Sequence, residues 1–253
     1  MPTSKISVTL YTLRDFVKTP AEISETLKRV KSIGYKNIQL SALGVINPRD
    51  LAEMIHDNKL NVCATHVPFE RLTTELDNVI AEHSLWNCKH IAVGSMPKSY
   101  WDHPDGFKHF AFDASEIALK LKASGITFSY HNHHMELVRI GNQTGLSILI
   151  DESDPALCFE IDTYWIQYGG GDPIYWIDRV KNRCPIIHFK DMAVLGREQI
   201  MAEVGSGNLN WQGIVSACER SAAQWYVVEQ DTCQGDPFDS ITISYHNMLE
   251  MGL

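Results

Sequence analysis

The sequence has no C-x-x-C pair; its six cysteines, Cys63, Cys88, Cys158, Cys184, Cys218 and Cys233, stand far apart. That pattern excludes a zinc knuckle and a small disulfide scaffold, and it makes a reducing compartment the expectation. No apolar stretch approaches the ~20 residues that span a bilayer. No apolar leader core precedes the strand-like run that begins at Ile6. The expectation is a soluble, cytoplasmic protein with no membrane partner. Cationic residues are few: 22 Lys and Arg against 31 Asp and Glu give a formal charge of -9, with no basic run to override it. Such a chain repels phosphate backbones, so nucleic acid is not an expected partner. Low-complexity tracts are absent, and 44% apolar residues are enough for a large core, which excludes disorder.

Missing as well is the G-x-G-x-x-G turn that follows the first strand of a dinucleotide-binding open sheet; Leu10-Tyr11-Thr12-Leu13-Arg14 stands there instead. What is present is alternation. Short β-branched or aromatic runs at 6–11, 37–41, 61–66, 90–94, 127–131, 157–162, 186–190 and 225–230 are each followed by helical periodicity, the pattern of βα units with parallel strands. Thr19-Pro20, Asn47-Pro48, Asp172-Pro173 and Asp236-Pro237 each put a capping side chain before a proline at the first helical position. Glu22, three residues after Thr19, completes a capping box. Gly34 and Gly125 supply left-handed ends before the second and fifth strands. Eight such units, with no linker and no recurring repeat signature, predict an α/β fold, a (β/α)8 TIM barrel, with residues 1–253 as a single domain. A doubly wound open sheet is the alternative.

Barrel chemistry gathers at the carboxyl ends of the strands. There the sequence places Tyr11, Gln39, His66, His131-Asn132-His133-His134, Glu160 with Asp162, His188-Phe189-Lys190-Asp191, and Glu229-Gln230-Asp231. Strand residues two apart share a face, so His131 with His133, Glu160 with Asp162, His188 with Lys190, and Glu229 with Asp231 point together. Burying so many ionisable groups uncompensated is costly, whereas a divalent cation satisfies imidazoles and carboxylates at once. A metal centre is the economical account; its competitor is a set of loop residues meeting solvent.

At these residues the chain resembles the xylose isomerase-like (AP endonuclease family 2) barrels, the sugar phosphate isomerase/epimerase family. The resemblance runs through Leu10-Tyr11-Thr12-Leu13-Arg14, Gly34-Tyr35-Lys36-Asn37-Ile38-Gln39-Leu40, Tyr130-His131-Asn132-His133, Phe159-Glu160-Ile161-Asp162-Thr163-Tyr164-Trp165 and His188-Phe189-Lys190-Asp191-Met192. It implies one divalent ion held by His131, Asp162, His188 and Glu229. The mixed O/N set suits Mn, Mg, Co or Zn without separating them. It implies a small-molecule carbohydrate substrate bound by Tyr11, Gln39, His66, His133 and Trp165, and it leaves homo-oligomerisation open.

The implied activity is that of a sugar isomerase or epimerase removing a proton beside a metal-held carbonyl of a sugar, cyclitol or keto-sugar. Glu229, Lys190 and Glu160 are the candidate catalytic residues. Lys190 would act beside the ion if its pKa is lowered, or else bridge structurally to Glu160. Two departures bear on mechanism. His131 stands where many relatives carry Glu, which removes one of the paired glutamates of ketose 3-epimerases, and Trp165 stands where many carry His. A lyase or dehydratase acting on 3-keto-glycosides or inososes is therefore the alternative. A DNA-repair endonuclease and a non-catalytic sugar-binding barrel are the remaining classes. Residues 193–210, with Glu203-Val204-Gly205-Ser206-Gly207, are expected to cover the pocket.

Overall fold

The computed structural model describes residues 5–221 and 223–253; residues 1–4 and 222 of the expected single domain lie outside that description. The helix starts form as the sequence predicts. Thr19 Oγ1 accepts from the Glu22 amide at 3.3 Å while Glu22 Oε2 accepts from the Thr19 amide at 2.9 Å. Asn47, Asp172 and Asp236 cap the helices Pro48–Asp57, Pro173–Arg179 and Pro237–Glu250 with their side-chain oxygens. Gly34 and Gly125 take φ of 125° and 74°, conformations in which a side chain would be strained.

In chain order the strands are β1 (Ile6–Thr9), β2 (Asn37–Leu40), β3 (Asn61–His66), β4 (His90–Val93), β5 (Thr127–His131), β6 (Arg139–Ile140), β7 (Gln143–Thr144), β8 (Leu157–Asp162), β9 (Ile186–Phe189), β10 (Asp191–Leu195), β11 (Glu198–Ala202) and β12 (Trp225–Val228). Eight of them close a parallel barrel in the order β1-β2-β3-β4-β5-β8-β9-β12, and β12 pairs with β1. These eight fall on the eight predicted runs. β6 with β7, and β10 with β11, are antiparallel hairpins in the loops. β1 and β12 each end two residues earlier than expected. Thr9 Oγ1 accepts from the Tyr11 amide and starts a 3-10 helix, Leu10–Phe16, so Tyr11 leaves the barrel wall and sits above it.

Period-two alternation sorts the strand residues. Phe159, Ile161, Phe189, Tyr226 and Val228 join the main apolar core beneath the helices. Their neighbours Glu160, Asp162, His188 and Glu229, also buried, fall on the opposite face, which lines the barrel interior. The lower interior is small and apolar, with Cys63, Ala64, Ile186 and Val227. Strand register then levels the upper layer: His131 pairs with Glu160, and Asp162 with His188.

Residues 193–210 differ from expectation. They form the β10–β11 hairpin and a turn wrapped around Asp191. This fully buried carboxylate accepts from the amides of Met192, Gly205, Gly207 and Leu209 and from Trp211 Nε1. Gly205 has φ of 83°, and a Cβ at Gly207 would run into the Asp191 carboxylate, which accounts for both glycines of the Glu203–Gly207 segment. The turn packs on the last helix through Ser240, Ser244 and Asn247, so it is an anchor beside the barrel mouth.

Candidate metal centre

Four strand ends bring the expected donors together. The ligand atoms of His131, Asp162, His188 and Glu229 all lie within 4.8 Å of one another, and all four residues are buried. Asp162 also caps the helix Thr163–Tyr168, its Oδ1 accepting from the Trp165 amide at 2.8 Å. Its own amide donates to Asn132 Oδ1 at 3.1 Å, so the residue between His131 and His133 fixes the backbone of the next strand. His131 Nε2 lies 3.6 Å from Asp162 Oδ2 and 3.9 Å from Glu229 Oε2.

Two observations bear on whether these residues fit a cation. First, both ring nitrogens of His131 and Asp162 Oδ2 are buried without a hydrogen-bond partner. Such groups are rare in folded proteins and cost about 1–3 kcal/mol each. Second, charge is out of balance. Asp162, Glu229 and Asp231 surround one ammonium, Lys190, while Glu160 faces His188, so even a protonated His188 would leave a surplus of negative charge over these four carboxylates. The imidazole and carboxylate donors fit a divalent ion.

A second triad, His66, Glu160 and His188, shares His188 but is internally satisfied. Glu160 Oε1 meets His66 Nε2 at 2.6 Å and His188 Nε2 at 3.0 Å, and Oε2 accepts from Gln39 Nε2 at 2.9 Å. Gln39 Oε1 in turn lies 2.9 Å from His188 Nε2, while His188 Nδ1 faces Glu229 Oε2 at 3.0 Å. Burial would raise the Glu160 pKa, but His188 and His66 hold it below the usual carboxylate range. Burial would lower that of His188, but Glu160 and Glu229 raise it well above the usual value. For His131 and His133 burial, then a neighbouring imidazole, outweighs the nearby carboxylates and pushes each down to about 3, so both are neutral.

Lys190 is fully buried, with Nζ 2.5 Å from Asp231 Oδ2, 3.2 Å from Glu229 Oε2 and 3.6 Å from Asp162 Oδ2, and 4.8 Å from the centre of the Trp165 ring. Burial alone would lower its pKa, yet Glu229, Asp162 and Asp231 together raise it. The expected lowered pKa and the expected bridge to Glu160 are both corrected: Lys190 is a locked cation facing the other carboxylates.

A cavity of about 740 Å³ opens over the cluster, and Tyr11, His66, His131, His133, Glu229 and Asp231 line it. Of the expected catalytic and substrate-binding residues, four are not in its wall: Gln39, Glu160, Trp165 and Lys190. Gln39 lies beneath the cluster, bridging His188 and Glu160. Glu160 is sealed by its three partners and has no path to a substrate. Trp165 packs on His133, His134, Tyr164 and Tyr168, behind Lys190. Residues 193–210 are not among those lining it: 203–209 wrap Asp191 and the last helix, while Met201 Sδ accepts from the Asp231 amide at 3.2 Å. Asp231 was passed over in the sequence although it shares a face with Glu229. Its side chain is 25% exposed in the cavity wall, and burial is the main cause of its raised pKa.

The chain matches the xylose isomerase-like TIM barrel family over residues 27–241. It belongs to that family. Among solved structures it is similar to a sugar phosphate isomerase/epimerase from Parabacteroides distasonis, with 22% identity, TM-score 0.80 and 98% of each chain covered. L-ribulose 3-epimerase superposes with TM-score 0.74 at 16% identity, covering 99% of this chain and 95% of that one. A probable 3-DHS dehydratase involved in petrobactin synthesis from Bacillus anthracis gives TM-score 0.71 at 12% identity, covering 97% and 99%. No curated protein matches the chain. At these identities the structural likeness establishes the fold. Among the described residues no helix is long and apolar enough to cross a membrane.

Proposed function

We propose that this family member is a metal-dependent enzyme that removes a proton from the carbon beside a carbonyl of a sugar, cyclitol or keto-sugar. The observation that carries it is the buried donor set, with its unpartnered His131 and Asp162 atoms, opening into a cavity whose wall also holds Asp231. His131, Asp162, His188 and Glu229 would hold the ion. When bound, it supplies Lewis acidity to a carbonyl oxygen and acidifies the neighbouring C–H. The epimerase and dehydratase among the similar structures work within this range of chemistry by name.

The chain's own residues divide the remaining work. Asp231 accepts the proton, being the carboxylate in the cavity wall that is not needed as a ligand. Lys190, held against it, favours its ionised form, and Asp231 returns the proton it has taken up to the developing product or leaving group. His133, neutral and with Nδ1 unpartnered, hydrogen-bonds a substrate hydroxyl, as does Tyr11, while His66, its two nitrogens on Glu160 and Ser41, lines the cavity. Glu160 and Gln39 hold His188 Nε2, so that Nδ1 faces the donor cluster.

The glutamate pair of a symmetric epimerisation is absent, since His131 takes one of those places. That favours one-base isomerisation, or elimination from a 3-keto-glycoside or inosose, over epimerisation. The endonuclease alternative meets a cavity in which the cation Arg71 is already paired to Glu82 at 3.0 Å. Turnover in D₂O tests the proposal. A true substrate takes up deuterium beside its carbonyl, or shows a primary isotope effect when deuterated there. A substrate that is turned over with neither, by an Asp231→Asn variant as active as the parent, contradicts proton abstraction and points to hydrolysis.

A further inference from the structure

The cavity is larger than the donor cluster needs, and its two ends differ in chemistry. The end at β5 and β12 is polar, with unpartnered atoms on His131 and His133. The other end runs over β2 and β3 to Leu40, Leu43, Val45, Ile46, Val67 and Trp86. The polar groups in that arm are engaged by the protein itself. Ser41 Oγ meets His66 Nδ1 at 3.2 Å, Thr65 Oγ1 meets His83 Nε2 at 2.7 Å, Arg71 pairs with Glu82, and Trp86 Nε1 donates to the Pro48 carbonyl at 3.0 Å. A sugar hydroxyl placed there would give up water for no partner, which costs affinity, whereas an apolar group gains by leaving water.

Val45 is 96% exposed at the rim of the arm, on a loop tied back at Gly44. The Gly44 amide donates to the Val17 carbonyl at 2.8 Å, and a Cβ at Gly44 would run into the Lys18 carbonyl. Ala42, with φ of 59°, turns the chain just before it.

We propose that the substrate is amphipathic: its sugar or cyclitol ring lies at the donor cluster, and an aryl or branched-alkyl substituent, such as the aglycone of a glycoside, fills the arm between the 41–48 loop and Val67. This rests on the reading of the cluster as a sugar site and narrows it, because a free monosaccharide leaves the arm empty. Burial of a phenyl ring against such side chains is worth about tenfold or more in affinity.

The test is titration calorimetry on the protein as purified, with methyl and phenyl glycosides oxidised at C3, taken in matched gluco, galacto and manno pairs. In the series that binds, the phenyl compound is expected to bind about tenfold or more tightly than the methyl compound. Val45→Asp, at an exposed position, and Leu43→Asn should each remove most of that preference and leave the methyl affinity unchanged. Equal affinities within every pair, a phenyl preference indifferent to both substitutions, or binding by no pair overturns the proposal. Asp162→Asn separates this failure from that of the sugar reading. Equal affinities that both vanish in Asp162→Asn remove the arm and leave the sugar site. A Val45-dependent phenyl preference with methyl affinity untouched by Asp162→Asn keeps the arm and removes the sugar site.

Discussion

His131 Nε2 faces Asp162 Oδ2 across 3.6 Å, and neither atom has a protein hydrogen-bond partner although both side chains are almost wholly buried. An unpaired acceptor there destabilises the fold unless something else occupies the gap. Asp162 carries two separable duties, since Oδ1 caps a helix and Oδ2 faces the cluster. Asp162→Asn is therefore expected to abolish binding of a divalent ion while keeping the helix cap. Asp162→Ala should abolish it too and cost about 1 kcal/mol more in folding stability. Metal titration followed by chemical denaturation of both variants checks the difference.

Lys190 stands against three carboxylates, so its removal is expected to split metal binding from turnover. Lys190→Met should bind the ion at least as tightly as the parent and lose turnover. Its metal-free form should be less stable by about 3 kcal/mol, because buried carboxylates lose their counter-charge. Added metal should recover that stability. A variant with parent-like turnover on a proven substrate makes Lys190 structural.

Glu160 and Gln39 touch the donor cluster only through His188. Glu160→Gln and Gln39→Leu are expected to weaken metal affinity about 10–100-fold and to leave the ligand set intact. Parent-like affinity in both variants, measured by competition with a chelator, removes the positioning role.

Away from the cluster, His83 is buried with Nδ1 on the Val79 carbonyl and Nε2 on Thr65 Oγ1. Burial lowers its pKa from the ordinary 6.5, and His90 shifts the same way for the same reason. The unfolded chain takes up protons on these rings that the folded chain refuses. Stability is therefore complete above 6.5 and falls as the pH drops from there toward the lowered folded values. Between pH 6.5 and 5.5 the denaturation midpoint of metal-free His83→Gln should therefore fall less, or rise more, than that of the parent. A parent and variant whose midpoints shift in parallel over that range contradict this assignment.

The barrel was legible because its signals are local: capping residues before prolines, left-handed glycines and period-two strands. The four ligand positions were legible for the same reason, since an imidazole or a carboxylate stands at or within one residue of the ends of β5, β8, β9 and β12. What sequence could not supply is depth along the barrel axis. Gln39 and His66 stand near the ends of other strands just as the ligands do, and Glu160 shares a face of β8 with Asp162, yet strand tilt and register place Gln39 and Glu160 below the cluster and His66 at the cavity. Trp165 carries a family position without its family residue, and only packing shows that it backs Lys190. Asp231 was readable as the same-face partner of Glu229, but nothing local told a ligand from its neighbour. The Glu203–Gly207 turn was visible as a motif, while its purpose depends on Asp191, a partner twelve residues or more away in sequence.

If His131, Asp162, His188 and Glu229 hold a divalent ion, elemental analysis of gently purified protein, side by side with Asp162→Asn, reveals it. About one equivalent of Mn, Mg, Co or Zn per chain is expected in the parent, or its uptake on titration, and none in the variant. A parent that holds less than about a tenth of an equivalent and takes up no ion, or a variant that binds as well as the parent, contradicts the metal site.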